Sequence, residues 1–196
     1  MSGILTYALH YEGEFNKNSL GAEAAAVVVG DVADDAAAGL GKYGVKKVYR
    51  CKEAPEGLAQ PIVDVMAKVM TDNDFDYALF GGGLLGFEIG AGLTARLNAG
   101  VTMEVTQVNV QDGKLVAERP ILQDSQIVDV EYTGEPGIII GRLNAFDAVE
   151  SGGGLIDSTD VLEPASPTLL ASMSKSLADF VSSGFFFAPM IALSDG

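Results

Sequence analysis

Three consecutive glycines and a fourth three residues on, Gly81, Gly82, Gly83 and Gly86, follow the apolar run Tyr77-Ala78-Leu79-Phe80 and precede a helical pattern. In that setting, bare backbone amides at a helix N-terminus can meet a phosphate. The four glycines are therefore the candidate cofactor-binding residues, for an adenine nucleotide such as AMP or ATP, and equally a surface for contact with a partner. The competing reading is a tight turn with close strand–helix packing, and Glu88 would bring negative charge towards any anion held there. The same glycine spacing recurs at Gly39, Gly41 and Gly44. There it falls at the end of a helical pattern, where the phosphate mechanism does not operate, so it reads as a helix cap.

The remaining reactive side chains are few. His10 is the single histidine and follows the first strand-like run. A Ser–His–Asp arrangement would have to use it, yet no GxSxG elbow is present, and no compact metal-ligand spacing surrounds it. It reads as a structural or surface histidine. Cys51 lies between Arg50 and Lys52, and cations beside a thiol lower its pKa. Strand alternation points those neighbours to the other face, which argues against a reactive thiol. Neither Gly41-Lys42 nor Gly113-Lys114 is followed by Ser or Thr, so there is no phosphate loop of the Walker type. No catalytic and no metal-binding residue is assigned. Arg119, Asp124 and Asp129 stand around hairpin-like segments as candidates to pair with one another or to bind a partner.

These residues need elements to position them. Residues 3–10 read as a buried first strand, 24–29 as a second, 45–51 as a third and 77–80 as a fourth. Between them lie a short or irregular crossover, an Ala-rich helix over 31–43 capped by Gly44, and an amphipathic helix over 55–71. In that last helix Leu58, Ile62, Val65, Met66 and Val69 share a face. Ile89, Leu93 and Leu97 mark the helix after the glycine turn. Alternating strand and helix implies a mostly parallel sheet covered on both faces, a three-layer α/β/α body. After Gly100 the pattern changes. Residues 103–110 and 115–119 flank Asp112-Gly113, a strong hairpin signal. Residues 127–132 and 138–141 flank Gly134-Glu135-Pro136-Gly137 and read as a second hairpin. The expected organisation is an α/β domain over 1–150 with an antiparallel hairpin extension. Residues 151–196 then form a glycine-rich linker, a helix beginning at Ser166-Pro167, and an apolar tail around Phe185, Phe186 and Phe187. That tail must be covered, either by the chain's own core or by a partner.

Composition sets the outer bounds. The 196 residues carry a formal net charge of −15. That balance argues against sequence-independent nucleic-acid binding, which needs cations to displace counterions, and against docking on anionic membranes. No uninterrupted apolar run approaches the ~20 residues of a membrane span. One cysteine cannot form an internal disulfide, which fits a cytoplasmic location.

Four segments together resemble the N-terminal domain of the electron transfer flavoprotein alpha subunit, the FixB-type subunit. They are ILTYALHYEGEFNKNSL, GLGKYGVKKVYRC, FGGGLLGFEIGAGLTARLNAGVTMEVTQV and ERPILQDSQIVDVEYTGEPGIIIGRLNAF. The resemblance implies an adenine nucleotide alpha hydrolase-like α/β/α domain that packs with an electron transfer flavoprotein beta-like subunit, in a complex that carries electrons between flavin enzymes. It implies an accessory to electron transfer rather than a catalyst. In that family FAD sits mainly in a C-terminal domain with its own glycine-rich motifs, and none follows Ser151 here. FAD is thus expected in the family's complex but not held by this chain alone. Two other readings stand beside it: a stand-alone adenine-nucleotide-binding module, and a homo-oligomeric structural domain formed by self-association.

Overall fold

The structure is a computed structural model and describes residues 3–11, 14–15, 25–55, 57–151, 153–156 and 160–161. Its centre is a parallel sheet of seven strands. In chain order these are β1 (Ile4–Tyr7), β4 (Ala25–Val29), β5 (Lys47–Cys51), β6 (Tyr77–Gly81), β7 (Gly100–Val105), β11 (Gly137–Gly141) and the two-residue β12 (Asp160–Val161). Their order across the sheet is β12-β5-β4-β1-β6-β11-β7, with each neighbouring pair parallel. A second sheet is antiparallel, with β9 (Lys114–Ile121) between β8 (Gln107–Gln111) and β10 (Gln126–Val130). A small ladder joins β2 (His10–Tyr11) to β3 (Glu14–Phe15).

Each layer follows from the side-chain pattern. Central parallel strands are buried on both faces and carry near-continuous apolar runs, as in Ile138-Ile139-Ile140, all essentially inaccessible. Alternation sends Ile138 and Ile140 to one face and Ile139 to the other. On the first face lie α2 (Ala59–Asp72) and α3 (Leu84–Leu97). Ile62, Met66, Val69, Ile89 and Leu93 meet Leu5, Val27, Ala78, Phe80, Ile138 and Ile140 there. Pro61 occupies the first turn of α2, where the amides have no helical acceptors and a missing N–H costs nothing.

The opposite face is covered in two halves. Over β4 and β5 sit the short α1 (Asp34–Gly39) and a 3-10 turn over Leu40–Tyr43, with Ala37, Leu40 and Val45 packed on Ala26, Val28 and Val48. Gly44 closes that turn at φ 89°, the left-handed cap expected of it. Over β6 and β11 sits the antiparallel sheet, where Leu115 and Ala117 pack with Tyr77, Val105 and Ile139. The third layer is therefore helical on one half and a β ribbon on the other.

Two sequence expectations change. The run over 103–110 is not one strand: it breaks at Thr106, and its first half joins the parallel sheet as β7. The second hairpin does not form either. Residues 126–130 pair with β9, while Gly137–Gly141 crosses into the parallel sheet between β6 and β7. Burial explains the second change, because a run of three isoleucines has two apolar faces to cover and a solvent-facing hairpin covers one. The Asp112-Gly113 hairpin forms as expected, with φ of 49° and 80° at its two central residues, as a type I′ turn requires. Residues 151 and 153–156 run against the 3-10 turn, with Ser151 N–H donating to Lys42 O (2.9 Å) and Ile156 N–H to Ala38 O (3.3 Å). The crossover helix before β4, the helix from Ser166 and the Phe185–Phe187 tail lie outside the described residues. Among the described residues, no helix is long and apolar enough to cross a membrane.

Candidate functional site

Open α/β sheets bind their ligands and partners outside the carboxyl ends of the strands, and here that rim is reached first through the glycine turn. β6 ends at Gly81, and Gly83 caps α3 at φ 123°, a conformation closed to residues with a Cβ. The other glycines are used by the backbone itself. Gly82 N–H donates to Gly141 O at 2.7 Å, and a Cβ on Gly82 would lie 2.6 Å from that oxygen. A Cβ on Gly86 would lie 2.3 Å from Gly81 O. The first helical donor of α3 is Phe87 N–H, to Gly83 O at 2.9 Å, so the amides of residues 84–86 precede the hydrogen-bonded ladder. The turn thus packs strand against helix, as the second sequence reading had it. It offers amides but no basic side chain of its own, and Leu84 projects there 86% exposed.

The other singled-out residues sit around the same rim. His10 is buried, and its Nε2 lies 2.8 Å from Val29 O, joining β2 to the end of β4. Phe15 meets its ring edge-on at 6.0 Å between centroids. Cys51 is wholly buried in the helix-side core, and burial pushes its thiol pKa up. Because it is the chain's single cysteine, the consequence is directly measurable. A disulfide-exchange reagent is expected to leave the native protein unlabelled at pH 8 and to react fully in denaturant. Stoichiometric labelling of the native fold within minutes would contradict its burial.

Two charged clusters brace the rim. Arg50 is buried and donates to the Val32 carbonyl and to Asp34, which also accepts from Lys52 at 3.0 Å. The hydrogen bond from Arg50, then that from Lys52, holds the Asp34 carboxyl below its ordinary value of 3.8. A carboxylate depressed in the fold contributes stability above its unfolded pKa and loses it as pH falls through the folded one. Asp34→Asn should therefore be less stable than the parent at neutral pH, with the difference closing below about pH 4. Urea midpoints at pH 7 and pH 3 measure this, and a difference that grows in acid would refute it. Asp34 is largely exposed, so solvent screening keeps the effect modest.

On the other side, Arg142 follows β11 and grips Asp124 with both terminal nitrogens, at 3.1 and 3.0 Å, while its Nε lies 3.3 Å from Glu104. Both partners are presented by left-handed backbone: Glu104 at φ 61°, and Asp124 at the end of the run Leu122, Gln123, Asp124 at 50°, 56° and 63°. The fork of Arg142 ties the β9–β10 turn to the rim of the parallel sheet. Three exposed leucines lie on the joined segments: Leu84, two residues after Gly82, Leu122, two before Asp124, at 67%, and Leu143, next to Arg142, at 55%. Of the sequence candidates near the hairpins, Asp124 pairs with Arg142 and not with Arg119, and Asp129 is exposed. Sequence reasoning missed Glu104 and Arg142, since neither the bulge nor the left-handed turn has a sequence signature. It also missed a cleft of ≈ 370 Å³ at the opposite, amino end of the sheet, lined by Met70, Asp74, Phe75, Asp76, Leu97 and Glu135 among others. Among the described residues, no group of three or more His, Cys, Asp or Glu is placed to hold a metal ion.

Comparison with known proteins bears on this arrangement. Residues 7–166 match the family described as electron transfer flavoprotein domain. The chain is also 31% identical over 179 residues to the electron transfer flavoprotein subunit alpha of Mycobacterium leprae (strain TN), over 84% of this chain and 55% of that protein. The chain thus spans about half the length of the curated relative it matches. The family match takes in most of the parallel sheet, its rim and the antiparallel ribbon, and on that ground the chain belongs to the electron transfer flavoprotein domain family.

Proposed function

We propose that this chain is the partner-docking part of an electron transfer flavoprotein complex, and that it receives a beta-type subunit on the carboxyl rim of its parallel sheet. The observation that carries the reading is that the segments tied together at the rim carry exposed leucines: Leu84 just after Gly82, Leu122 just before Asp124, and Leu143 next to Arg142. Exposed large apolar side chains on a rigid surface can mark contact sites. Rigidity comes from below: Gly82 and Gly86 lock the turn to β11 and β6, and the ion pairs of Arg142 fix the ribbon's tip.

In such a complex FAD supplies the electron-accepting chemistry. The rim's own residues fit that group poorly. The amide of Gly82 is already donated to Gly141 O at 2.7 Å, and the turn carries no basic side chain to balance a phosphate. The cation at the clamp, Arg142, is engaged by Asp124 and Glu104. In this reading the chain's work is to bind and orient protein, with the flavin held elsewhere in the complex. Gly81, Gly82, Gly83 and Gly86 serve as the base of the docking surface rather than as nucleotide ligands.

The test is co-expression with a beta-type subunit, followed by light scattering and a flavin absorbance spectrum. The reading expects a one-to-one complex by mass and no flavin absorbance from this chain purified alone. Two non-interacting species at micromolar concentrations, or flavin retained stoichiometrically by this chain alone, would refute it. Calorimetry with AMP and ATP addresses the nucleotide alternative, for which this reading expects no heat.

A further inference from the structure

We infer that Arg119 is the charged anchor of the docking surface and takes a carboxylate from the partner subunit; the inference rests on the docking reading above and names the chemistry of the contact. The chain has four arginines, and three are engaged. Arg50 pairs with Asp34, Arg96 with Asp64 at 2.6 Å, and Arg142 with Asp124 and Glu104. Arg119 forms no ion pair and no hydrogen bond with any described residue, and its Nε is buried without a partner. It does so in a chain where 27 acidic residues face 12 basic ones. With that excess, an arginine that finds no internal carboxylate is held away from them by the fold.

Its placement follows from strand alternation. Leu115, Ala117 and Arg119 share the face of β9 that lies over the parallel sheet, and the first two are buried in the core beneath. Its cross-strand neighbour is Val128. The preceding residue, Glu118, accepts from Thr106 N–H at 2.9 Å, just beyond the end of β7, so Arg119 stands where the ribbon overhangs the rim. Three residues further on is exposed Leu122, tethered through Asp124 to Arg142. Arginine is among the side chains enriched at interface hot spots, and this half-buried one lies three residues from exposed Leu122.

A desolvated donor without an acceptor costs free energy in the isolated chain. A carboxylate placed across it in a complex would remove that cost and add a charge-assisted hydrogen bond. The occupant is the beta-type subunit of the docking reading, whose carboxylate would complement the one arginine that pairs with no carboxylate of a described residue.

The experiment titrates the full chain and its variants against the beta-type subunit by calorimetry, and melts each variant alone. Arg119→Met is expected to weaken the complex at least about 30-fold, and Arg119→Glu further, as when one partner of a buried, hydrogen-bonded charge pair is lost. Lys114→Glu, the same charge change on the exposed start of β9, should stay within about threefold, as rim charges do. Alone, Arg119→Met should melt no lower than the parent, because its substitution removes an unsatisfied donor. A complex that tolerates Arg119→Met within threefold overturns this inference and leaves the docking reading standing. A clear drop in the isolated variant's melting temperature also overturns it, by assigning Arg119 to the chain's own fold. So does an Arg119-dependent rise in melting temperature with inorganic phosphate, which would make the site one for small anions. Absence of any complex with the parent chain overturns the docking reading and this inference together.

Discussion

Replacing Tyr77 by alanine is expected to destabilise the fold by about 3–5 kcal/mol, the range for truncating a buried aromatic. Tyr77 opens β6 and is 4% exposed. Its ring meets Tyr132 edge-on at 5.9 Å between centroids, and its hydroxyl accepts from Leu115 N–H at 3.4 Å. It is one of the contacts by which the parallel sheet holds β9, beside Val105 and Ile139. Tyr132 in turn donates to Ile138 O at 2.9 Å, so the two rings bind ribbon and sheet from both sides. Tyr77→Phe keeps the ring and loses one hydrogen bond, and should cost about 0.5–1.5 kcal/mol. Urea unfolding gives both numbers. Hydrogen exchange adds a local readout, with the amides of β8–β10 in the alanine variant losing protection ahead of those of β4 and β5. A cost under about 1 kcal/mol for alanine would mean that the ribbon is held by something else.

Gly86→Ala sets two effects against each other. Alanine is favoured over glycine in a helix by about 1 kcal/mol. Its Cβ, however, would sit 2.3 Å from the backbone oxygen of Gly81, which cannot rotate aside as a side-chain tip can. Overpacking of this kind costs about 1–3 kcal/mol, so the clash is expected to win, and Gly86→Val should be worse than Gly86→Ala. The control is Gly39→Ala. Gly39 has helical dihedrals of −62° and −20°, and a Cβ there meets nothing within 4 Å. It should stabilise by about 0.5–1 kcal/mol. Opposite signs at the two positions, read from urea midpoints, would establish that Gly86 is a packing residue. Stabilisation at both would remove the argument that β6 and α3 are in backbone contact.

These cases also mark what was legible in the sequence. The β6–turn–α3 unit was readable because an apolar run of strand length, a glycine cluster and residues four apart change period within a few positions. Asp112-Gly113 was readable because its two positive φ values demand those residue types. Ile138-Ile139-Ile140 misled because the short gap from 132 to 138 suits a hairpin. The decisive fact, burial on both faces between β6 and β7, depends on strands distant in sequence. The inward direction of Arg119 was implicit in the alternation from Leu115 and Ala117. Its lack of a partner was not, because that depends on Asp124 turning to Arg142 through three left-handed residues, none of them glycine. His10 stood without a GxSxG elbow or metal-ligand spacing, and strand alternation turned the cations beside Cys51 to the other face; that both side chains are buried was not legible.

Which surface of the α/β body meets another protein is open to direct measurement. Hydrogen exchange on the chain, free and bound to a beta-type subunit, tests it most directly. The docking account predicts new protection over residues 82–87, 119–125 and 142–144, the glycine turn, the tip of the ribbon and the Arg142 loop. It predicts no change at residues 70–76 and 135–136 around the amino-end cleft. Protection confined to that cleft, in a complex of confirmed mass, would contradict it.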